Sequence, residues 1–144
     1  TGYMVAPPQL TAELRKVHQY VSFCAVTPMQ YALADFMLAH PEHVDQLPAF
    51  YQQKRDQLCQ ALQGSRFTFV AAASTYFQLL DYRNIRDDLN DVQMAHWLTI
   101  EHGVASIPLS VFYQQAPTEQ YLLRVCFAKR AQTLELAGEK LCAI

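Results

Sequence analysis

The segment 121–127 places one arginine in the middle of an apolar β-strand pattern. Side chains alternate between the two faces of a strand, so Leu123 and Val125 share one face and Arg124 lies on the other. A guanidinium flanked by apolar side chains on a sheet face is costly unless an anion meets it. That anion is either an internal Asp or Glu or the carboxylate of a ligand, and the pattern alone favours the internal ion pair.

The composition is that of an ordinary globular protein: 51% of the 144 residues are hydrophobic, 17% are charged and the formal net charge is -2. Such a chain is long enough to form a domain with its own core. Because it has no basic footprint and no apolar run of membrane-spanning length, we expect neither a nucleic-acid nor a membrane partner.

The cysteines are widely spaced, form no CxxC pair and each fall within an apolar pattern. This arrangement favours buried, reduced thiols, and with them a cytoplasmic protein without a signal peptide. The four positions are Cys24, Cys59, Cys126 and Cys142.

The first half of the sequence predicts one short strand followed by helices. Apolar residues 2–6 form a strand pattern that ends at Pro7, and we expect a buried strand cut from a larger structure. Thr27 is the expected N-cap of the second helix, and Pro48 is expected to kink or restart the third. The helical spacing of apolar residues predicts helices over about 9–22, 27–40 and 41–63.

The second half predicts an α+β domain with the element order β-β-α-β-β-α. Asp91 is the expected N-cap of its first helix, and Gly103 the expected stop. The strands are predicted over about 67–72, 75–82, 104–107 and 121–127, and the helices over 92–102 and 131–143. These elements make a layer of about 80 residues with the helices on one face of the sheet.

The histidines do not predict a metal site. His40 and His43 stand three residues apart, but no third ligand follows at a useful spacing, so solvated side chains are favoured. His96 and His102 share one helix, where the helix dipole alone explains His102 near the C-terminus. His18 lies beside an apolar stripe and is expected to be partly buried.

Two other stretches contain the residue types of a reactive cysteine or a calcium site, but not the spacing that such sites require. Cys126 is close to Arg124, whose charge favours a thiolate, but no histidine follows at a diagnostic position. The acidic stretch Asp87 to Asp91 lacks the glycine and the terminal Glu of a calcium loop, so we expect a solvated helix cap. No glycine-rich phosphate loop is present.

Five segments, in order, carry a resemblance to a known family. Three contain motifs: Ser74 to Phe77 for a G-[ST]-Y-F turn, 102–113 for G-V-A-x-I-P-x-S-x-F-Y, and 123–129 for [IL]-R-x-C-F-x-K. The other two are residues 1–7 and the pair 16–19 and 23–34. Over essentially its whole length the chain resembles the C-terminal part of a fold-type-I, class I/II aminotransferase that depends on pyridoxal phosphate. The methionine/kynurenine/glutamine transaminase branch is the most similar.

The resemblance implies roles for three residues. Arg124 would hold the α-carboxylate of the substrate, Phe23 would reach the active site of the other subunit of a homodimer, and Tyr76 would lie near the substrate. The substrates would be an amino acid and a 2-oxo acid. The cofactor lysine and the family's Asp, Tyr and Asn cofactor contacts are expected before Thr1. This fragment would then bind no cofactor covalently and would be inactive alone.

The same resemblance implies a domain division. Residues 1–27 would end the large cofactor-binding domain, 28–64 would be linking helices, and 65–144 would form the small C-terminal domain. Ser74 stands where the family has glycine, which puts a positive-φ turn there in question. Apolar surface left uncovered in such a fragment is expected to cause association.

Two alternatives stay open from the sequence. A β-C–S lyase on the same scaffold would keep the same arginine. A non-catalytic α+β module that binds carboxylates or a partner protein is the other, although the unpaired strand at 2–6 argues against an independent module.

Overall fold

The computed structural model describes all 144 residues, which form two compact units, Thr1–Gln46 and Leu47–Ile144. The helices are α1 (Pro8–Val21), α2 (Thr27–Ala39), α3 (Glu42–Ala61), α4 (Asp91–His102) and α5 (Ala131–Cys142). The strands are β1 (Phe77–Asp81), β2 (Ile107–Pro108) and β3 (Leu122–Cys126), and a 3-10 turn covers Ser110–Phe112. No helix combines the length and the apolar character that crossing a membrane requires.

The first unit is helical and has no buried residue. The prediction of a buried strand at 2–6 is wrong: these residues form no strand, and Val5 is 88% exposed. A strand needs a hydrogen-bonded neighbour, and none in this chain pairs with the segment. The apolar stripes of α1 and α2 are also exposed, and so is His18, which was expected to be partly buried.

The helix boundaries lie close to the predicted ones, but their caps differ. Thr27 is already helical and makes no capping bond, since the N-cap is Val26. Pro48 lies inside a continuous α3, so the helix does not restart there, since a proline removes only one backbone donor from the helix. The kink expected as the other possibility stays a prediction. Gly103 ends α4 in the left-handed conformation, with φ 62°, as predicted.

The sheet of the second unit is antiparallel, with β3 between β1 and β2. Leu123 and Val125 of β3 point into the core and are buried, which confirms the predicted alternation. The predicted strand at 67–72 is wrong apart from one bridge between Thr68 and Asp81.

The buried Gln78 explains why that segment forms no ladder. Its amide oxygen accepts a hydrogen bond from the Ala72 N–H at 3.0 Å, and its amide nitrogen donates to the Val70 carbonyl at 2.8 Å. Backbone groups that would otherwise pair with a strand are satisfied by this side chain instead.

The core of the second unit lies between the sheet and the three helical segments packed against it. Its large buried side chains include Leu58, Leu62, Leu80, Tyr82, Met94, Leu98, Leu123, Phe127, Leu134 and Leu141. All four thiols are free, but none is buried: Cys24 and Cys142 are exposed and the other two are half-buried. The prediction of buried thiols is therefore wrong, because small side chains at the edge of an apolar face can remain in contact with solvent.

Gly138 allows α5 to meet the end of α3. A Cβ atom at this position would lie 2.5 Å from the Ala61 Cβ and 2.8 Å from the Ala61 carbonyl oxygen. Ala61 also accepts a bond from the Cys142 thiol at 3.3 Å, so its carbonyl is fixed on the same side. The two helices therefore approach more closely than any side chain would permit.

We expect Gly138→Ala to lower the free energy of unfolding by at least about 1 kcal/mol, because overpacking against backbone outweighs the better helix propensity of alanine. Urea unfolding of the purified chain measures this. Glu139→Ala, on the exposed side of α5, is the control and should change stability by less than about 0.5 kcal/mol. Equal stability of the two variants would contradict the close contact.

Candidate functional site

Arg124 occupies the centre of the open sheet face. The antiparallel register places it opposite Leu79 of β1 and opposite Ile107 of β2. Directly opposed residues in an antiparallel sheet point to the same side, so the guanidinium emerges between two partly exposed aliphatic side chains. The prediction that Arg124 lies on the sheet face opposite to Leu123 and Val125 is therefore confirmed.

The Arg124 guanidinium is held by two aromatic rings. Its Cζ atom lies 4.0 Å from the ring centroid of Phe77 and 4.6 Å from that of Phe112. Both distances are within the range of a cation–π contact, which a planar guanidinium makes well.

No internal anion meets this charge. Arg124 takes part in none of the salt bridges of the chain, and its Nε–H is buried without a hydrogen-bond partner. The internal ion pair that the pattern favoured is therefore wrong. An unsatisfied buried donor costs about 1–3 kcal/mol and needs an explanation, of which an external acceptor is the simplest.

A second unsatisfied group lies beside the same arginine. A cleft of about 380 Å³ is lined by Arg124, Ser106 and the side chains of Lys129 and Lys140, on otherwise apolar walls. The Ser106 hydroxyl is buried and has no hydrogen-bond partner.

Tyr76 lies beside Phe77, one of the two rings that hold Arg124. Its ring centroid lies 4.4 Å from that of Phe77, and on its other side it stacks near Tyr51 at 6.0 Å. Phe23 belongs to the first unit, where it is 76% exposed. Its role is not tested by this geometry and stays a prediction.

The backbone is strained at Phe23 and at Thr75, the residue before Tyr76. Phe23 has φ 64° and Thr75 has φ 68°, both in the left-handed region that disfavours residues with a Cβ. The residue with positive φ is therefore Thr75 and not the preceding Ser74, which stands where the family has glycine. The Thr75 hydroxyl accepts a hydrogen bond from the Phe77 N–H at 3.2 Å, which ties the strained turn to the start of β1.

Asp91 is a buried carboxylate with a specific partner. It is only 4% exposed, and it accepts bonds from the Ser110 N–H at 2.6 Å and from the Ser110 hydroxyl at 2.8 Å. The prediction of a solvated N-cap is wrong, since Asn90 caps α4 instead. Burial, and then the charge of Asp91, raises the pKa of the neighbouring Tyr82 hydroxyl.

The aromatic walls of the site were missed by the sequence reasoning. Phe77 and Phe112 each lie within a quoted motif, yet neither motif shows that the two rings meet across Arg124. The pairing of β1 with β3 and the path of the loop after β2 bring them together.

No cluster of three or more His, Cys, Asp or Glu side chains lies close enough to hold a metal ion.

The fold and site define a known family. The sequence model described as aminotransferase class I and II matches residues 1–141, and this chain belongs to that family. A methionine aminotransferase from Escherichia coli is 52% identical over 97% of the chain. A kynurenine–oxoglutarate transaminase from Dictyostelium discoideum is 32% identical, also over 97% of the chain.

A solved structure of this family has the same fold as this chain. The crystal structure of a methionine aminotransferase from Escherichia coli covers 97% of this chain with a TM-score of 0.88 and 51% identity. The α+β architecture is therefore that of part of a class I/II aminotransferase. The chain spans 36% of the length of that solved structure and 36% and 37% of the two relatives.

The strained turn before β1 yields a stability prediction. Thr75→Gly should raise the free energy of unfolding by up to about 1 kcal/mol, because relief of a left-handed conformation that costs an L-residue about 1–2 kcal/mol outweighs the loss of the exposed hydrogen bond from the Phe77 N–H. Ser74→Gly is the control, since Ser74 has no positive φ and the added backbone freedom should cost about 0.5–1 kcal/mol. Thermal unfolding of both variants measures the difference. A loss of stability for Thr75→Gly as large as that for Ser74→Gly would contradict the strain.

Proposed function

We propose that this chain is the C-terminal part of a pyridoxal-phosphate-dependent aminotransferase that transfers an amino group between an amino acid and a 2-oxo acid. In this proposal Arg124 binds the α-carboxylate of the substrate. The observation that supports it is a guanidinium held between Phe77 and Phe112 with no anionic partner in the chain.

The geometry suits a carboxylate in particular. A guanidinium presents parallel N–H donors that match the two oxygens of a carboxylate. The two rings restrict the plane of this fork, so less conformational entropy is lost when the ligand binds. Apolar surroundings also strengthen the charge interaction relative to water.

The residues around Arg124 do not by themselves fit the cofactor. Besides a lysine for its aldehyde, pyridoxal phosphate requires an acidic partner for its ring nitrogen, and when bound it acts as the electron sink. Asp91 is the one buried carboxylate, and its oxygens already accept hydrogen bonds from Ser110. This chain then supplies substrate orientation, and the cofactor lysine belongs to a preceding part of the protein. The chain alone is expected to be inactive.

The exposed surroundings of Arg124 favour an apolar or aromatic amino acid. Phe112, Tyr76, Leu79 and Ile107 all expose large parts of their side chains next to or near the guanidinium. Methionine, kynurenine or another aromatic amino acid suits this surface, in keeping with the names of the two relatives. Glutamine, which the resemblance also implied, is polar and gains no support from it.

The remaining parts of the proposal concern the whole protein. Residues 1–27 would end its large domain, 28–64 would link the domains, and 65–144 would form the small domain. The protein would be a homodimer in which Phe23 reaches the partner subunit's site, and Tyr76 would line the substrate side. Four free thiols are in keeping with a cytoplasmic location.

The test is Arg124→Met in the full-length protein that contains this chain. We expect kcat/KM for the amino acid to fall by about 30-fold or more, because removing one partner of a buried charge pair costs roughly 2–5 kcal/mol. Cofactor absorbance should be unchanged, since Arg124 is placed at the substrate and not at the cofactor.

Arg83→Met is the matched control. Arg83 also stacks on an aromatic ring of the same unit, with its Cζ 4.9 Å from the Tyr121 centroid, but its side chain is largely exposed. It should leave kcat/KM within about threefold of the unaltered protein. Cofactor loss in Arg124→Met, or an effect no larger than the control, would contradict the proposed role. Release of a thiol, ammonia and pyruvate from a cysteine S-conjugate, without transfer of the amino group to an added 2-oxo acid, would identify the lyase.

A further inference from the structure

We infer that Asp91 is a positioning residue for the carboxylate-binding arginine: it anchors the Ser110–Phe112 turn and thereby holds the Phe112 ring against Arg124. The inference rests on the proposed function for its effect on catalysis. Its structural part, the link from Asp91 through Phe112 to Arg124, stands on contacts within the second unit alone.

Asp91 is free for this role because another residue caps the helix. The Asn90 side chain accepts a bond from the Gln93 N–H at 2.9 Å, and the Gln93 side chain accepts one from the Asn90 N–H at 3.1 Å. This capping box satisfies the start of α4. Apart from the adjacent Val92 N–H at 3.0 Å, the Asp91 carboxylate bonds only to Ser110.

The Ser110–Phe112 turn depends on that anchor. A 3-10 turn of three residues has little stability of its own. Hydrophobic packing supplies little more, since Val111 is 60% exposed and Phe112 is 58% exposed. Bonds to a buried carboxylate are charge-assisted and are roughly twice as strong as bonds between neutral groups. The two bonds to Ser110 are therefore the strongest contacts that fix this turn.

The two aromatic walls of Arg124 are consequently fixed in different ways. Phe77 belongs to β1 and is held by the ladder to β3, the strand that carries Arg124 itself. Phe112 lies on a loop, and its place beside the guanidinium is set by the bonds from Ser110 to Asp91. Loss of the Asp91–Ser110 bonds should release Phe112 and leave Phe77 in place. The Arg124 guanidinium would then sample more orientations.

The experiment measures Arg124 directly. In the purified 144-residue chain, ring currents from Phe77 and Phe112 should displace the NMR resonances of the Arg124 side chain. Asp91→Ala should move these resonances towards their ordinary values, whereas Phe77 resonances should change little. Asp91→Asn retains one oxygen acceptor for Ser110 and should restore most of the displacement.

Asn90→Ala is the matched control. It removes the cap of the same helix but leaves the Asp91 carboxylate and its bonds to Ser110 in place. The Arg124 resonances should stay displaced in this variant even though α4 loses its N-terminal cap. Unchanged Arg124 resonances in a folded Asp91→Ala chain would overturn the inference, and so would equal shifts in Asn90→Ala and Asp91→Ala.

Kinetics of the full-length protein give the second readout. Asp91→Ala should raise KM for the amino acid about tenfold, equivalent to 1.4 kcal/mol, with a smaller effect on kcat and no loss of cofactor. Asp91→Asn should recover most of that loss. If Arg124→Met leaves kcat/KM unchanged while Asp91→Ala still moves the Arg124 resonances, the proposed function fails and the positioning link holds.

Discussion

The stack of Phe77, Arg124 and Phe112 is the arrangement on which the site depends. A guanidinium on an open sheet face needs an opposite charge or a polarisable neighbour, and here two rings lie within 4.0 and 4.6 Å of it. The rings orient the cation without neutralising it, since a cation–π contact is worth much less than the hydrogen bonds of a carboxylate. A charge held in this way stays available to a ligand.

The rest of the second unit contributes to that stack through two routes. The sheet sets the position of the arginine and of Phe77, because β1 pairs with β3 along five residues of each strand. Helix α4 sets the position of Phe112 through Asp91 and Ser110. The core beneath makes both routes rigid: Leu80 and Leu123 from the sheet pack with Leu98 of α4 and Leu141 of α5 in one buried cluster.

Much of this architecture could be predicted, and the failures share a cause. The alternation in β3, the helices of the second unit and the stop at Gly103 follow from local pattern and backbone preference. The predicted strands at 2–6 and 67–72 also have a local strand pattern, yet neither forms a ladder. Strand formation is decided by a neighbour, which is absent for the first and replaced by the Gln78 side chain for the second.

The errors at Asp91 and Arg124 are of the same kind. An Asp before a helix favours a solvated cap, but the adjacent Asn90 takes that place, and the carboxylate turns to a loop nineteen residues further on. An arginine among apolar residues favours an internal ion pair, but no acidic side chain reaches it. In both cases the partner comes from a part of the chain that pattern alone does not place.

The sequence by itself determined the family, the helices and three of the four predicted strands of the second unit, and the presence of a cation on the sheet face, because these follow from motifs and local periodicity. Tertiary structure alone decided what surrounds that cation. Register and loop path selected two phenylalanines and no carboxylate as its neighbours, since contacts between distant segments depend on how the strands pair, which the local pattern of one segment does not give.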